Sequence, residues 1–333
     1  MVPSLTQHWT QQDRTARISA WLLTLVLCLL TLSAAQAADW PASPIHIILP
    51  FTPGASTDVV IRTIAPKFSE LIGAPAVIEN RGGAGGLIAT ESVATANPDG
   101  YTLLVVTTSF AAQPAIMGKL PYDTAHDFAP IALLADLPGV LVVNPKVPVK
   151  TFAEFLDYAK SHRLTYGSAG IGTFPHLGME LLKSRAGIPM THVPYKGASQ
   201  ALTDVIGGQI DVKLDAYVSS AGHLADGTLR ALAVSSLTRL PELPDVPTIA
   251  ESGFPGFEVT YWIGVVAPAA VPEPVRARLQ EAFIASLTPE NKALLAKQGV
   301  RAVGEGQQAL QSLIDRELAQ WQKLAGETDL TIK

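Results

Sequence analysis

The sequence predicts an α/β protein made of two α/β units, with a ligand cleft between two lobes. Three observations predict this fold. The chain has 333 residues, enough for about two domains of roughly 100–200 residues each. Apolar residues make up 48% of the chain and charged residues only 16%, as in sheets that helices cover on both faces. Short apolar runs also alternate with helix-like segments along most of the sequence.

The first 37 residues have the pattern of a secretory signal peptide. Arg14 and Arg17 precede an apolar run over residues 18–32, and residues 35–37 (Ala-Gln-Ala) supply small side chains for cleavage after Ala37. As a helix that run would span about 22 Å, which is short of a ~30 Å hydrocarbon core. We therefore expect export to the periplasm, with no membrane insertion after cleavage.

Removal of this leader changes the charge and cysteine content. Asp13, Arg14 and Arg17 leave with it, so the formal charge changes from −5 to −6. Cys28, the single cysteine, leaves as well, which excludes thiol catalysis and cysteine-ligated metal centres in the mature chain. The sequence has no cluster of Lys and Arg, so we expect no nucleic-acid partner.

The first unit shows the order β-α-β-α-β. The pattern predicts strands over 45–50, 75–79 and 101–107 and helices over 56–71 and 86–96. Pro66 is expected to kink or divide the first helix because proline lacks an N–H group. A loop is predicted over 114–127, followed by two apolar runs over 130–135 and 140–143. This order is typical of a parallel sheet covered on both faces.

A second unit begins near residue 138. Its predicted helices cover 152–161, 175–186 and 198–206, and its predicted strands cover 165–168, 190–193, 210–214 and 230–235. A strand over 261–266 and helices over 275–287 and 307–324 close the chain. We place lobe 1 at 38–137 plus 263–333 and lobe 2 at 138–262. Ligands of such sheets bind beyond the carboxyl ends of the strands, which directs attention to three loops.

The loop after the first strand, residues 51–58, combines a glycine with hydroxyl side chains. It ends in Ser56, Thr57 and Asp58, where a helix is predicted to begin. Free N–H groups at a helix start favour an anion. The same three side chains are also good helix caps, so an anion site and a plain cap both remain open.

Two further loops carry similar groups. Thr107, Thr108 and Ser109 can donate hydrogen bonds to a carboxylate or satisfy the last carbonyls of their own strand. Residues 166–176 contain three glycines and a possible helix cap, Thr173. None of the three loops contains Arg or Lys. We therefore expect an anion to be bound by amide and hydroxyl dipoles, with bridging waters.

Other motifs are weaker. His176 and Glu180 lie one helical turn apart, a spacing that suits a metal, but a contact on the helix surface is favoured. Asp211 and Asp215 point to the same side of a strand, either as a catalytic pair or with Asp215 orienting a ligand or loop. The glycine-rich run over 80–86 lacks both the dinucleotide spacing and a P-loop lysine. We expect no metal and no cofactor.

A series of short motifs covers nearly all of the predicted mature chain. They are PFTPGASTD at 50–58, ENR at 79–81 with GAGG at 83–86, PDGYTLL at 98–104, LPYD at 120–123, HVPYKG at 192–197, LRALAV at 229–234 and LPDVPT at 243–248. Together they resemble the Bug family, the extracytoplasmic solute-binding proteins of tripartite tricarboxylate transporters. The resemblance implies a two-lobed type II periplasmic-binding-protein fold that closes on a small organic carboxylate.

Carried over by position, the resemblance also implies a set of ligand-binding residues. They are Phe51, Thr52, Gly54, Ala55, Ser56, Thr57, Asp58, Thr107, Thr108, Ser109, Ser168, Ala169, Gly170, Thr173, His176 and Asp215. The chain departs from the family pattern at three places: Ala55 stands for a second glycine, Gly82 for a proline, and Ala216 with Tyr217 for an Asn-centred segment. Five aromatic residues form either apolar pocket walls or parts of the core: Phe51, Phe110, Phe174, Tyr217 and Trp262.

These observations predict a monomeric periplasmic receptor, not an enzyme. It binds a di- or tricarboxylate or an aromatic carboxylate by lobe closure and delivers it to the membrane subunits of a transporter. One alternative is a periplasmic carboxylate sensor that docks on a signalling receptor. Another is a secreted hydrolase that uses Ser168 and His176.

Overall fold

The computed structural model describes residues 40–51, 53–83, 86–195 and 197–327. The predicted signal peptide and the predicted site residue Thr52 lie outside these ranges. The chain divides into two compact units, Met1–Ala42 and Ser43–Lys333. Of the first unit only residues 40–42 are described, and all the elements below belong to the second.

Strands and helices alternate through the second unit. The strands are β1 (Ile45–Leu49), β2 (Ala76–Asn80), β3 (Thr102–Thr107), β4 (Phe128–Val143), β5 (Leu164–Ser168), β6 (Met190–Pro194), β7 (Val212–Ala216), β8 (Arg230–Val234), β9 (Thr260–Pro268) and β10 (Arg301–Glu305). The helices are α1 (Ser56–Ile72), α2 (Leu87–Ala94), α3 (Thr108–Met117), α4 (Phe152–Ser161), α5 (Phe174–Ala186), α6 (Ala198–Gly207), α7 (Tyr217–Ala225), α8 (Glu273–Ser286), α9 (Pro289–Lys297) and α10 (Gln307–Glu327).

The strands lie in the order β2-β1-β3-β9-β4-β7-β5-β6, and β8 and β10 also pair with β4. Strand β1 is parallel to both β2 and β3, as the β-α-β-α-β pattern predicts. Strand β5 is likewise parallel to β6 and β7. Strand β9 is antiparallel to β3 on one side and to β4 on the other. The α/β fold class is therefore confirmed.

Strand β4 links the two halves of the sheet. It pairs with β9 up to Pro138 and with β7 from Gly139 onward. The sequence predicted two separate apolar runs here. Irregular pairing around Ala132 and Ala135 lets one continuous strand pass through its internal prolines. Gly139 is required at the change of partners, because a Cβ there would lie 2.5 Å from both Phe174 Cζ and Ser235 Oγ.

Several elements differ from the prediction. Helix α3 replaces the first part of the predicted loop and contains Pro114, and α1 continues through Pro66. Burial of Phe110, Ala111 and Ile116 in the same core as the apolar face of α10 compensates for the hydrogen bond that Pro114 removes. Helices α7 and α9 and strand β10 were not predicted. The strand predicted over 210–214 runs two residues later.

The core that positions the site extends from β3 and β9 to β5 and β7. Its members include Val106 of β3, Trp262 of β9, Leu141 of β4, Tyr166 of β5 and Leu214 of β7. A second apolar layer on the other face of β4 and β7 involves α6 and the segment after β8. Within residues 40–327 as described, no helix is long and apolar enough to cross a membrane.

Candidate functional site

The ends of β3 and β7 approach the same short stretch of β4 from opposite directions. Thr107, the last residue of β3, pairs with Ile263 of β9, and Ile263 pairs with Ala135 of β4. Ala216, the last residue of β7, pairs with Gly139. The two β4 positions are about 13 Å apart at ~3.3 Å per residue. Since α3 and α7 begin directly after these strands, both helices start close to the middle of β4.

The start of α1 leaves three backbone N–H groups free of helical acceptors. Its N-cap residue, Ala55, is extended, and the first helical bond joins the Val59 N–H to the Ala55 carbonyl at 3.0 Å. The N–H groups of Ser56, Thr57 and Asp58 therefore point out of the helix. The capping alternative is wrong at the N-cap position, because an alanine side chain offers no acceptor. This helix end carries about half a positive charge.

Asp58 holds the loop in place. Its carboxylate accepts hydrogen bonds from the Gly54 N–H at 3.0 Å, from Arg62 Nε at 2.9 Å and from Asn80 Nδ2 at 3.1 Å. Asn80 Nδ2 also donates to the Phe51 carbonyl at 3.1 Å. Burial favours the neutral acid, but these hydrogen bonds outweigh it and keep the pKa of Asp58 below its usual value. The carboxylate therefore faces the chain's own donors.

The neighbouring hydroxyl groups differ in accessibility. Thr57 is fully buried, and its hydroxyl has no hydrogen-bond partner among the described residues. Ser56 and Ala55 are half-buried and Gly54 is exposed. A buried hydroxyl without a partner costs about 1–3 kcal/mol. The loop thus combines an accessible backbone with one unsatisfied buried donor.

The hydroxyl groups at the β3–α3 junction join different parts of the molecule. Thr107 and Thr108 are buried, and Thr108 Oγ1 donates to the Thr260 carbonyl of β9 at 2.8 Å. The Thr107 hydroxyl hydrogen-bonds with the Tyr261 side chain. Ser109 is half-buried and donates to the Gly172 carbonyl at 3.1 Å. This last bond brings the predicted second and third loops together.

Inside the third loop, hydroxyl groups fold the backbone. Ser168 is buried and accepts the Gly170 N–H at 3.0 Å, while Thr173 Oγ1 donates to the Gly170 carbonyl at 2.6 Å. Gly170 and Gly172 have φ angles of 115° and 79°, which side-chain-bearing residues rarely adopt. Ala169 is half-buried. With these hydroxyls engaged, the groups left to meet a ligand are the backbone N–H groups of Phe174 and His176 at the start of α5, since Pro175 has none.

His176 lies beneath this loop rather than at its surface. It is 5% exposed, and its Nδ1 accepts the Gly172 N–H at 3.2 Å. Burial, assisted by the neighbouring His192, lowers the pKa of His176 to about 4. His176 is therefore neutral at pH 7, with its proton on Nε2. His192, to which the sequence assigned no role, hydrogen-bonds with Ser168.

Asp215 is buried in a charged pair. One carboxylate oxygen contacts the ammonium group of Lys213, and the other accepts from Ser220 Oγ of α7 at 2.6 Å. Lys213 and Asp215 are 0% and 2% exposed. Lys213 was missed as a site neighbour, although a lysine inside an apolar strand signals a buried charge that needs a partner. Asp211 instead binds Thr165, so the two aspartates do not form a pair.

Three of the five aromatic residues belong to the core. Phe110, Phe174 and Trp262 are at most 4% exposed. Phe110 packs edge-on against Phe128, with ring centroids 5.2 Å apart. Phe51 and Tyr217 are half-buried and lie at the starts of the first loop and of α7. Only these two among the five retain surface that a ligand could reach.

Neither a metal site at His176 and Glu180 nor a hydrolase site at Ser168 and His176 is supported by the described part of the chain. Glu180 binds the Tyr166 hydroxyl and Lys183 Nζ, and no group of three or more potential metal ligands is found among the described residues. Ser168 hydrogen-bonds with His192 at 2.7 Å, whereas His176 binds Gly172. The Ser168–His176 pairing of the hydrolase alternative is therefore wrong.

Comparison with known proteins identifies the family. Residues 60–330 match the sequence profile of the tripartite tricarboxylate transporter family receptor. A protein encoded in the tcbD–tcbE intergenic region of Pseudomonas sp. strain P51 is 39% identical, covering 88% of this chain and 89% of that protein. Protein BugT of Bordetella pertussis is 33% identical, covering 91% of this chain and 94% of that protein.

Solved structures show the same fold. The periplasmic binding protein BugD is 34% identical, with a TM-score of 0.74 over 88% of this chain and all of that one. Rpa4515 of R. palustris, solved with adipate, is 35% identical, with a TM-score of 0.75 over 87% of this chain and 98% of that one. MatC of Rhodopseudomonas palustris, solved with bound malate, is 33% identical, with a TM-score of 0.74 over 86% of this chain and all of that one.

The resemblance to the Bug family is thus confirmed over most of the described chain. The known members are solute-binding proteins rather than enzymes. The chain belongs to the family of tripartite tricarboxylate transporter receptors and has the two-lobed α/β fold of the Bug-type periplasmic binding proteins.

Proposed function

We propose that this protein is a periplasmic receptor for a small organic carboxylate, which it binds at the starts of α1, α3 and α5. The observation that supports this most strongly is that all three helices have uncapped N-termini. Each begins at a loop or strand end without a side-chain cap on its N-cap residue, so its first N–H groups are free to meet an anion. None of the three predicted loops contributes an Arg or Lys side chain.

The buried Thr57 hydroxyl supports α1 as the primary contact. Among the described residues it has no partner, which is costly for a buried hydroxyl. A carboxylate oxygen at the N-terminus of α1 would supply the missing acceptor once the preceding loop moves aside, because Thr57 is fully buried. Asp58 supports the same assignment indirectly, because its bonds to Gly54 and Asn80 fix the loop that exposes the helix start. Binding by neutral dipoles favours a small carboxylate that is released readily over a tightly bound polyanion.

The carboxylate class follows from the relatives and from the aromatic side chains. Two relatives were solved with adipate and with malate, which are aliphatic dicarboxylates. Burial of Phe110, Phe174 and Trp262 in the core leaves few rings to form an aromatic pocket. We therefore favour an aliphatic dicarboxylate over an aromatic acid. A second carboxylate would be met at the start of α5, across the bond from Ser109 to Gly172.

The remaining parts of the proposal concern location and partners. Cleavage after Ala37 would release a monomer into the periplasm, with lobe 1 at 38–137 plus 263–333 and lobe 2 at 138–262. The loaded receptor would deliver its ligand to the membrane subunits of a tripartite tricarboxylate-type transporter, as its family membership supports. Loss of carboxylate uptake on deletion supports transport, whereas loss of gene induction with uptake intact supports the sensor alternative.

Calorimetry on residues 38–333 tests the ligand class and the site together. Adipate, malate, citrate and benzoate are titrated into the wild type and into Thr57→Val, which removes a hydroxyl at nearly constant volume. We expect an aliphatic dicarboxylate to bind and Thr57→Val to weaken binding about 10–150-fold, the loss of one hydrogen bond to a charged group. Thr63→Val is the matched control, because the Thr63 hydroxyl bonds the Val59 carbonyl within the same helix.

Two outcomes would contradict the proposal. Binding of benzoate alone, or of none of the four acids, would remove the dicarboxylate assignment. Equal affinities of the wild type and Thr57→Val would remove the start of α1 as the primary contact.

A further inference from the structure

His192 occupies a defined position next to the third loop. It lies on β6 directly opposite Tyr166 of β5, and the two rings stack with centroids 4.8 Å apart and planes 16° apart. The His176 ring adjoins it at 4.5 Å with a tilt of 47°. Two neighbouring rings thus restrict the rotation of the His192 imidazole and fix where its Nε2 can reach.

That nitrogen reaches the residue that folds the loop. His192 Nε2 lies 2.7 Å from Ser168 Oγ. The same hydroxyl accepts the Gly170 N–H at 3.0 Å, at a glycine with a φ angle of 115°. Ser168 is 0% exposed, so water cannot replace the imidazole without a local rearrangement. The Ser168 hydroxyl also lies 3.1 Å from the Gly170 carbonyl, so its turn and His192 hold it together. His192, at the shorter distance, is its contact from outside the loop.

A second imidazole supports the other end of the same loop. His176 Nδ1 accepts the Gly172 N–H at 3.2 Å, and the Gly172 carbonyl accepts from Ser109 of α3. The loop is consequently held at Gly170 through His192 and at Gly172 through His176. Both bonds orient the backbone immediately before α5, where free N–H groups are proposed to meet a carboxylate.

The charged and titratable groups that face these rings come from β5 and α5. Glu180 of α5 binds the Tyr166 hydroxyl, and Lys183 Nζ lies 2.6 Å from Glu180 Oε1 and 5.5 Å from the Tyr166 ring centroid. The two charges partly offset each other at the imidazoles. Burial dominates and lowers the pKa of His192. The network is therefore neutral at the histidines near pH 7.

We propose that His192 is a positioning residue of the carboxylate site, which holds Ser168 and thereby the Gly170 turn in the conformation that presents the start of α5 to the ligand. This inference rests on the proposed function. It assigns the role to a residue that makes no ligand contact itself and lies outside the loops that the sequence singled out.

The test measures adipate and malate affinity by calorimetry on residues 38–333. His192→Phe keeps a ring between Tyr166 and His176 but removes the bond to Ser168, and we expect it to weaken binding at least tenfold. His192→Gln keeps a polar group for Ser168, and we expect a loss of about threefold. His162→Phe is the matched control. His162 also stacks on a tyrosine and neighbours a serine, but it directly follows the C-terminus of α4, outside the three predicted loops.

The pH profile separates positioning from general stability. Wild-type affinity is expected to be constant from pH 6 to 8 and to fall at acid pH, where His176, His192 and the ligand's carboxylates take up protons; the ligand's share is the same in every variant. The fall of affinity at acid pH is called the acid limb of the profile. In His192→Phe this acid limb should move to higher pH, because His192, which opposes protonation of His176, is gone. A purely structural role would lower thermal stability without moving this limb.

Each outcome has a distinct meaning. If the wild type binds neither acid, the proposed function fails and this inference falls with it. If the wild type binds but both His192 variants bind within twofold of it, with the acid limb unchanged, His192 has no positioning role. If His192→Phe does not fold, the decision rests on His192→Gln. The inference is overturned if His192→Gln has the same affinity and the same pH profile as the wild type.

Discussion

The Ser109 hydroxyl donates a hydrogen bond to the Gly172 carbonyl across 3.1 Å, and this bond joins the first turn of α3 to the glycine-rich loop before α5. The two segments are 63 residues apart in the chain and follow different parallel strands. A Cβ at Gly172 would lie 2.9 Å from Ile116 Cδ1, so α3 and the loop are also in close van der Waals contact. The helix start and the loop are therefore held together at the place where we propose that the ligand binds.

Loss of this bond should weaken ligand binding. Ser109→Ala removes one neutral hydrogen bond, worth about 0.5–1.5 kcal/mol, so the Kd for the bound dicarboxylate should rise about 2–10-fold in calorimetry. The Tm of the ligand-free protein should also fall, because Gly172 is buried and its carbonyl loses its donor. An unchanged Kd together with a lowered Tm would show a bond that serves folding alone.

Gly172→Ala should lower both stability and ligand affinity, whereas the same substitution at a glycine outside the site should lower stability alone. At a φ of 79° an alanine costs about 1–2 kcal/mol, and its Cβ would press on Ile116. Gly187→Ala is the matched control, with a φ of 61° at the end of α5 and no atom within 4 Å of the new Cβ. Both variants should lose stability in urea unfolding, but only Gly172→Ala should also lose ligand affinity.

How far the sequence predicted the structure depends on the kind of signal. The β-α-β-α-β order of the first unit was predictable, because buried parallel strands are short apolar runs separated by amphipathic helices. Helix α3 was not, since it begins without a loop directly after β3 and contains Pro114. Helix α3 is stabilised by packing against elements far away in the chain, and the local sequence does not indicate that packing.

The candidate site was predictable as a set of loops but not in its contacts. The loop at 51–58 and the glycines at 170 and 172 carry local backbone signals that can be read from the sequence. The roles of Thr108, Thr173 and Asp215 cannot, because their side chains turn toward Thr260, Gly170 and Lys213. Thr108 and Thr260 are 152 residues apart, and the two shorter pairings depend on rotamers that a residue pattern does not specify.

Loss of one partner of the buried Lys213–Asp215 pair should be strongly destabilising, because it leaves the other charge buried and uncompensated. Lys213→Met leaves Asp215 and its bond to Ser220 in an apolar layer without a cation, which should cost about 3–5 kcal/mol in urea unfolding. The double variant Lys213→Met/Asp215→Asn removes both charges and should recover most of that loss.

An exposed ion pair provides the comparison for this experiment. Lys160 and Asp157 of α4 are 61% and 78% exposed, and Lys160→Met should cost less than about 1 kcal/mol. If the double variant is as unstable as Lys213→Met, packing of the lysine stem rather than charge balance explains the effect.

Glu317 of α10 should make the protein less stable as the pH rises. Burial raises the pKa of its carboxyl to about 8, although the indole N–H of Trp321 donates to it at 3.3 Å. The folded protein then retains a proton that the unfolded chain, with a glutamate pKa near 4.3, has lost. Stability from this group is complete below pH ~4 and falls by about 1.4 kcal/mol per pH unit until pH ~8.

The pH window from 6.5 to 8 isolates this effect, because His176, with its lowered pKa, contributes the opposite slope only below its ordinary pKa of ~6.5. Glu317→Gln is neutral at every pH and keeps an acceptor for Trp321. The free energy of unfolding of Glu317→Gln minus that of the wild type, measured in urea, should therefore increase by about 1.4 kcal/mol for each pH unit across the window. Glu281→Gln, on the exposed side of α8, should run parallel to the wild type. A constant difference between Glu317→Gln and the wild type from pH 6.5 to 8 would mean that Glu317 is already ionised in the folded protein.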